Sequence, residues 1–116
     1  MDGIARYEEE IASACSKEAD AVLRIVWSPL ALQRIEEIWE HIAKDNRSAA
    51  NRTITRIRKA SLRLELHPYS GRPGRNFGYR ELVVPGTSYL IPYHFVDGAI
   101  EVVSVMHGSQ EWPEEF

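Results

Sequence analysis

Asp97-Gly98 lies between two β-rich runs, residues 88–96 and 99–106. This dipeptide is a strong signal for a two-residue hairpin, because both central residues of the favoured turn need positive φ. The turn then sets a register. Phe95 faces Ile100, Tyr93 faces Val102 and Ile91 faces Ser104 on one side of the ribbon. His94 faces Glu101, Pro92 faces Val103 and Leu90 faces Val105 on the other. Pro92 has no N–H to donate, so a bulge or an unpaired stretch is expected there. A third strand, residues 79–84, precedes the pair.

Upstream the apolar period changes from two to three and four. Leu23-Arg24-Ile25-Val26-Trp27 is a short β-rich run, and Ser28-Pro29 closes it. Ser28 can cap a helix, and Pro29 loses nothing at the first helical position. That helix is predicted to reach about Asn46, with Leu32, Ile35, Trp39 and Ile42 on its apolar side. Ser48 is the expected cap of a second helix running to about Leu66, whose inward face carries Ala50, Thr53, Ile54, Ile57, Ser61 and Leu64. Arg52, Arg56, Lys59 and Arg63 follow at steps of four, three and four and form a cationic stripe on the same helix. His67-Pro68 ends it, and residues 69–78 form a loop rich in Gly and Pro. Residues 1–21 form an N-terminal amphipathic extension, with Ile4, Tyr7, Ile11 and Ala14 along one side and Glu8, Glu9 and Glu10 on another. It is either a helix packing by its apolar side on its own or a neighbouring molecule's core, or a frayed tail. Residues 22–116 then make one domain, within the size range of a single core.

Several classes are excluded at this level. No apolar run approaches the roughly 18 residues of a membrane helix, and the acidic start Met1-Asp2-Gly3 lacks a secretory layout. The single cysteine, Cys15, forms no internal disulfide and, with four scattered histidines, no metal-binding spacing. The expectation is a soluble cytoplasmic protein with no cofactor and no metal. The net charge of −3 hides segregation: residues 1–21 carry −4, residues 22–86 carry +6 and residues 87–116 carry −5. Within 46–80 nine bases stand against one acid, Glu65. Such a block attracts nucleic acid or an acidic protein segment, or it solvates a helix face.

No phosphate loop and no nucleophile elbow is present. Glu36, Glu37 and Glu40 fall on the polar side of the first helix and read as a solvated face. Arg72 and Arg75, on the glycine-rich loop, suit a phosphate or carboxylate, or a solvated turn. Arg80 has Glu81 as its neighbour, so an ion pair competes with a functional role. His107 follows the last strand and is the best acid–base candidate. Trp112-Pro113 reads as an aromatic anchor for the sheet edge. Leu90, Val103 and Val105 offer a second apolar face. Either a partner covers it, or the C-terminal tail or the N-terminal helix does.

The order strand–helix–helix–three strands comes with specific residues. Ile25-Val26-Trp27-Ser28-Pro29-Leu30-Ala31 resembles the opening of toxins in the RelE/ParE superfamily of bacterial toxin–antitoxin systems. Pro68-Tyr69-Ser70-Gly71-Arg72-Pro73-Gly74-Arg75 with Arg80-Glu81-Leu82, then Tyr89-Leu90-Ile91-Pro92-Tyr93, Val103-Ser104-Val105-Met106-His107-Gly108 and Trp112-Pro113, complete the likeness. It implies an α+β fold, β-α-α-β-β-β, with two antiparallel helices on one face of a mainly antiparallel sheet; the N-terminal helical extension at 1–21 lies outside the likeness. It also implies the toxin of a plasmid-stabilisation system, neutralised by a cognate antitoxin in a hetero-oligomer, with no membrane partner.

The superfamily divides by mechanism. RelE-like members resemble one another in cutting mRNA on the ribosome with convergent lysines and arginines and a C-terminal tyrosine. Here Arg80 matches one such position, whereas Leu82, Leu90 and His107-Gly108 stand at others, and Trp112 lies near the place of the tyrosine. That departure favours the ParE-like branch, which binds DNA gyrase and is not an enzyme. The alternative is an mRNA interferase with His107 as acid–base and Arg72, Arg75 and Arg80 on the phosphates. Antitoxin or target binding is expected at Arg52, Arg56, Lys59, Arg63, Arg72, Arg75, Leu90, Val105 and Trp112.

Overall fold

The computed structural model describes residues 23–113 and Phe116, so the expected N-terminal helix at 1–21 lies outside the described residues. Strand β1 is Arg24–Trp27. Helices α1 (Pro29–Ala43) and α2 (Arg47–Leu62) follow, and α2 tightens into a 3₁₀ turn at Arg63–Glu65. The remaining strands are β2 (Arg72–Pro73), β3 (Arg80–Val83), β4 (Tyr89–Val96), β5 (Ala99–Val102) and β6 (Met106–His107). The sheet order is β1-β5-β4-β3-β2, with β6 also on β4. All pairings are antiparallel except β1 with β5, so the expected helix pair on a mainly antiparallel sheet is what forms.

Local chemistry sets the helix ends. Ser28 caps α1: its Oγ accepts the Ala31 N–H at 3.1 Å and donates to the Val103 carbonyl at 2.8 Å. The cap therefore also ties α1 to the far end of the hairpin. The second cap differs from expectation. Asn46, not Ser48, accepts the Ala49 N–H through Oδ1 at 3.0 Å, so α1 stops at Ala43 and α2 begins at Arg47. Asparagine reaches N3 as well as serine does, and its extended backbone here admits a tight interhelix turn. Ala50, Ile57, Ala60 and Ser61 of α2 are buried, and Ile57 and Ala60, with Leu64 of the 3₁₀ turn, join one core with Leu82, Ile91, Tyr93, Ile100 and Val102 of the sheet and with Val84 beyond β3.

The hairpin takes the predicted register at its turn. Phe95 pairs with Ile100, His94 with Glu101 and Tyr93 with Val102, across Asp97 and Gly98 at φ 49° and 74°. Beyond Pro92 the register slips. β4 advances three residues from Tyr93 to Leu90 while the opposite strand advances four, from Val102 to Met106. Leu90 therefore faces Met106 rather than Val105, and the expected continuous strand to 106 is broken at residues 103–105. The extra residue is the bulge that Pro92 calls for; Pro92 still accepts from the Val103 N–H at 3.0 Å.

The slip divides the second apolar face. It turns Val105 into the helix-side core, whereas Leu90 stays on the opposite face. Both are buried, at 2% and 7% exposure, and so is Val103. The C-terminal tail packs on the loop before β3 and on Tyr79. Asn76 Nδ2 donates to the Pro113 carbonyl at 2.9 Å, and Phe116 packs on Tyr79 and Trp112 with ring centres 5.6 and 6.2 Å apart. Leu90 and Val105 are thus buried rather than displayed on the surface.

Candidate functional site

Two basic regions emerge, and they adjoin where Arg63 and Arg72 line one hollow. The first surrounds Glu81, a carboxylate with 3% side-chain exposure. Glu81 Oε2 accepts the Arg75 backbone N–H at 2.7 Å and Arg75 Nε at 3.2 Å, and Oε1 accepts from Arg72 Nη2 at 3.3 Å. Arg75 lies over the Trp112 ring at 4.0 Å, which fastens the tail to this loop. Of the two alternatives for Arg80, the ion pair with Glu81 does not form, because adjacent strand residues point to opposite faces. Arg80 instead donates to the Gly71 and Tyr69 carbonyls at 2.9 and 3.1 Å. Tyr93 holds the same loop from below: its hydroxyl donates to the Pro68 carbonyl at 2.8 Å and accepts the Gly71 N–H at 3.0 Å.

The second region is the α2 stripe. Arg52, Arg56, Lys59 and Arg63 are all exposed, and Arg56 Nη1 donates to the Gly86 carbonyl at 3.0 Å. Arg52 and Arg56 share a cleft of about 270 Å³ with Tyr89 and His107. His107 Nδ1 accepts from the Ser109 N–H at 3.2 Å and lies 2.7 Å from the Ser109 hydroxyl. The Tyr89 ring meets the imidazole edge-on at 5.4 Å, and burial pushes the Tyr89 phenol above the usual tyrosine range. It stays protonated at neutral pH and is no base there.

The four residues of the ribonuclease alternative do not converge. Arg80 pairs with Tyr93 on one side of β4, and His107 pairs with Tyr89 on the other. Four residues along the strand and two strand spacings across it separate their backbones by about 16 Å. Arg72 and Arg75 are held by Glu81 meanwhile. A phosphorane-like transition state needs several donors aimed at one point.

Residues 25–112 match the family model described as ParE toxin of type II toxin-antitoxin system, parDE. The chain belongs to the ParE toxin family. Y4kP of Sinorhizobium fredii, a protein named as a toxin, is 44% identical over 91 residues, covering 78% of this chain and 94% of that one. Toxin RelE2 of Caulobacter vibrioides is 31% identical over 87 residues, 75% of this chain and 97% of its own. In fold, the toxin resembles a chain of the chromosomal ParDE TA system from P. aeruginosa. The TM-score is 0.68 at 17% identity, over 74% of this chain and 96% of that one.

Sequence reasoning missed Glu81 as the hub of the toxin's loop. Strand alternation was the available signal: with Leu82 inward, Glu81 must face the other way, toward Arg72 across β2. It also missed Gly86, whose carbonyl orients Arg56 and where a Cβ would come 2.6 Å from Arg56 Nη1. Glu36, Glu37 and Glu40 are exposed, as a solvated face requires, and the Arg34 hydrogen bond holds the Glu37 carboxyl below its usual range. Among the described residues no helix is long and apolar enough to cross a membrane, and no group of His, Cys, Asp and Glu could hold a metal.

Proposed function

We propose that this toxin acts as ParE-like proteins do, by binding DNA gyrase without cutting RNA, and that an acidic segment of a cognate antitoxin neutralises it in the cytoplasm. The dispersal of Arg72, Arg75, Arg80 and His107 carries the first part. Each arginine of the β2–β3 region is engaged by Glu81 or by a loop carbonyl, and His107 stands at the other end of β4. The exposed stripe Arg52, Arg56, Lys59 and Arg63 supports the second, since like charges along one helix face favour an acidic partner. The partner's contacts then lie on the stripe and on exposed Arg72 and Arg75, with Trp112 acting through Arg75. A role in plasmid stabilisation belongs to the same reading.

The test is a gyrase supercoiling and cleavage assay run beside a translation-coupled RNA cleavage assay. Trapped gyrase–DNA breaks with intact mRNA are expected. Codon-positioned mRNA cuts with gyrase unaffected would overturn the gyrase reading. The second reading, an mRNA interferase, draws on His107 sharing one cleft with Arg52 and Arg56. In that case the scissile phosphate would sit there, away from Arg72, Arg75 and Arg80.

A further inference from the structure

Arg63 is common to two adjoining hollows between α2 and the outer edge of β3. One, of about 330 Å³, has Arg63, His67, Arg72 and Val83 on its walls. The other, of about 560 Å³, has Arg56, Lys59, Arg63 and Pro85. Together they form a trough with a cationic rim. Its walls carry apolar surface from Ala60, Leu82, Val83 and Pro85, of which Val83 is exposed at 48%. β2 pairs only with Arg80 and Glu81, so it stops short of Val83 and leaves the trough open on that side. The carboxylate on its wall, Glu81, is already bound by Arg72 and Arg75.

The chain itself supplies a matching segment. Residues 2–20 hold six acids and two bases, with Ile4, Tyr7, Ile11 and Ala14 among them. The Leu23 N–H donates to the Glu65 carbonyl at 3.1 Å, so this segment joins the fold at the turn that directly follows Arg63. Its reach fits the stripe. From Arg63 back to Arg52 is about 16 Å along α2, and a chain of this length rising only 1.5 Å per residue would carry residues 8–10 about 20 Å from Leu23. A segment tethered this closely acts at an effective concentration of about millimolar, so modest charge pairing suffices to hold it.

We propose that the acidic segment 2–20 docks in cis in the trough between α2 and β3, over Arg56, Lys59 and Arg63. It is a tethered competitor for any acidic partner of the same stripe. The competition rests on the antitoxin reading above; the docking does not.

Cys15 is the single cysteine of the chain and lies within the segment, so a nitroxide placed on it reports the contact in the full-length protein. Amide signals of Arg56, Lys59, Arg63 and Val83 are expected to lose intensity with the label oxidised. They should recover at about 0.5 M salt, where screening is short-ranged, and in the triple variant Glu8→Gln, Glu9→Gln, Glu10→Gln. Undiminished signals along α2 and β3 would overturn the proposal, as would losses that persist in salt and in the triple variant. Losses seen only when spin-labelled protein without isotope is mixed with unlabelled isotopic protein would place the segment on a second copy and overturn docking in cis. A failure of antitoxin binding with these losses intact would remove the competition and leave the docking.

Discussion

Arg75 gives Glu81 both its backbone N–H, at 2.7 Å, and its Nε, at 3.2 Å, while its guanidinium rests on Trp112. One buried carboxylate thus organises the loop before β3 and, through Arg75, the C-terminal tail. Glu81→Gln keeps the shape but removes the charge, leaving two cations and an amide with weaker acceptors. A loss of about 2 kcal/mol is expected, within the range of hydrogen bonds to charged groups. Urea unfolding followed by Trp fluorescence measures it; a midpoint equal to wild type would show that the cluster adds nothing.

Gly71 is where the loop crosses Tyr93. A Cβ there would sit 2.6 Å from Tyr93 Oη and 2.7 Å from Cε1, with the Glu81 carbonyl at 2.9 Å. Gly71→Ala should cost about 1–3 kcal/mol, the range for overpacking. In a Tyr93→Phe background part of the clash disappears, so the two changes should be non-additive by about 0.5 kcal/mol or more. Additive losses in thermal unfolding would mean that the loop shifts away from the ring.

His107→Ala separates the two mechanisms. Loss of a general acid–base group lowers a ribonuclease by about 10²-fold or more. The gyrase reading predicts toxicity close to wild type in growth assays and no change in mRNA integrity. The exposed imidazole makes its contacts to Ser109 and Tyr89, so the fold should survive the change.

Charge reversal at Arg56 and Arg63 tests the stripe. Both side chains are exposed, so stability should change by about 1 kcal/mol or less. Antitoxin affinity should fall at least about tenfold, and the salt dependence of the remaining binding should flatten. Calorimetric titration reads both, and unchanged affinity in the two variants would remove the stripe from the interface.

The element order, the Ser28-Pro29 helix start, the Asp97-Gly98 register and the cationic stripe were all local in the sequence. Each depends on residues within one turn or one helix face, where spacing alone dictates geometry. Pro92 even announced the bulge, since a missing N–H is a covalent fact. The consequences of that bulge were not local. A one-residue slip sent Val105 to the helix side and left Leu90 on the other, and only the packed sheet shows which way the extra residue turns. Likewise Glu81 and Arg75 are six residues apart, and they meet across a loop whose backbone Tyr93, on a different strand, and Arg80 both hold. The separation of His107 from Arg80 has the same origin. Both flank β4, but on opposite edges and four residues apart, a distance set by sheet order rather than by anything in either segment.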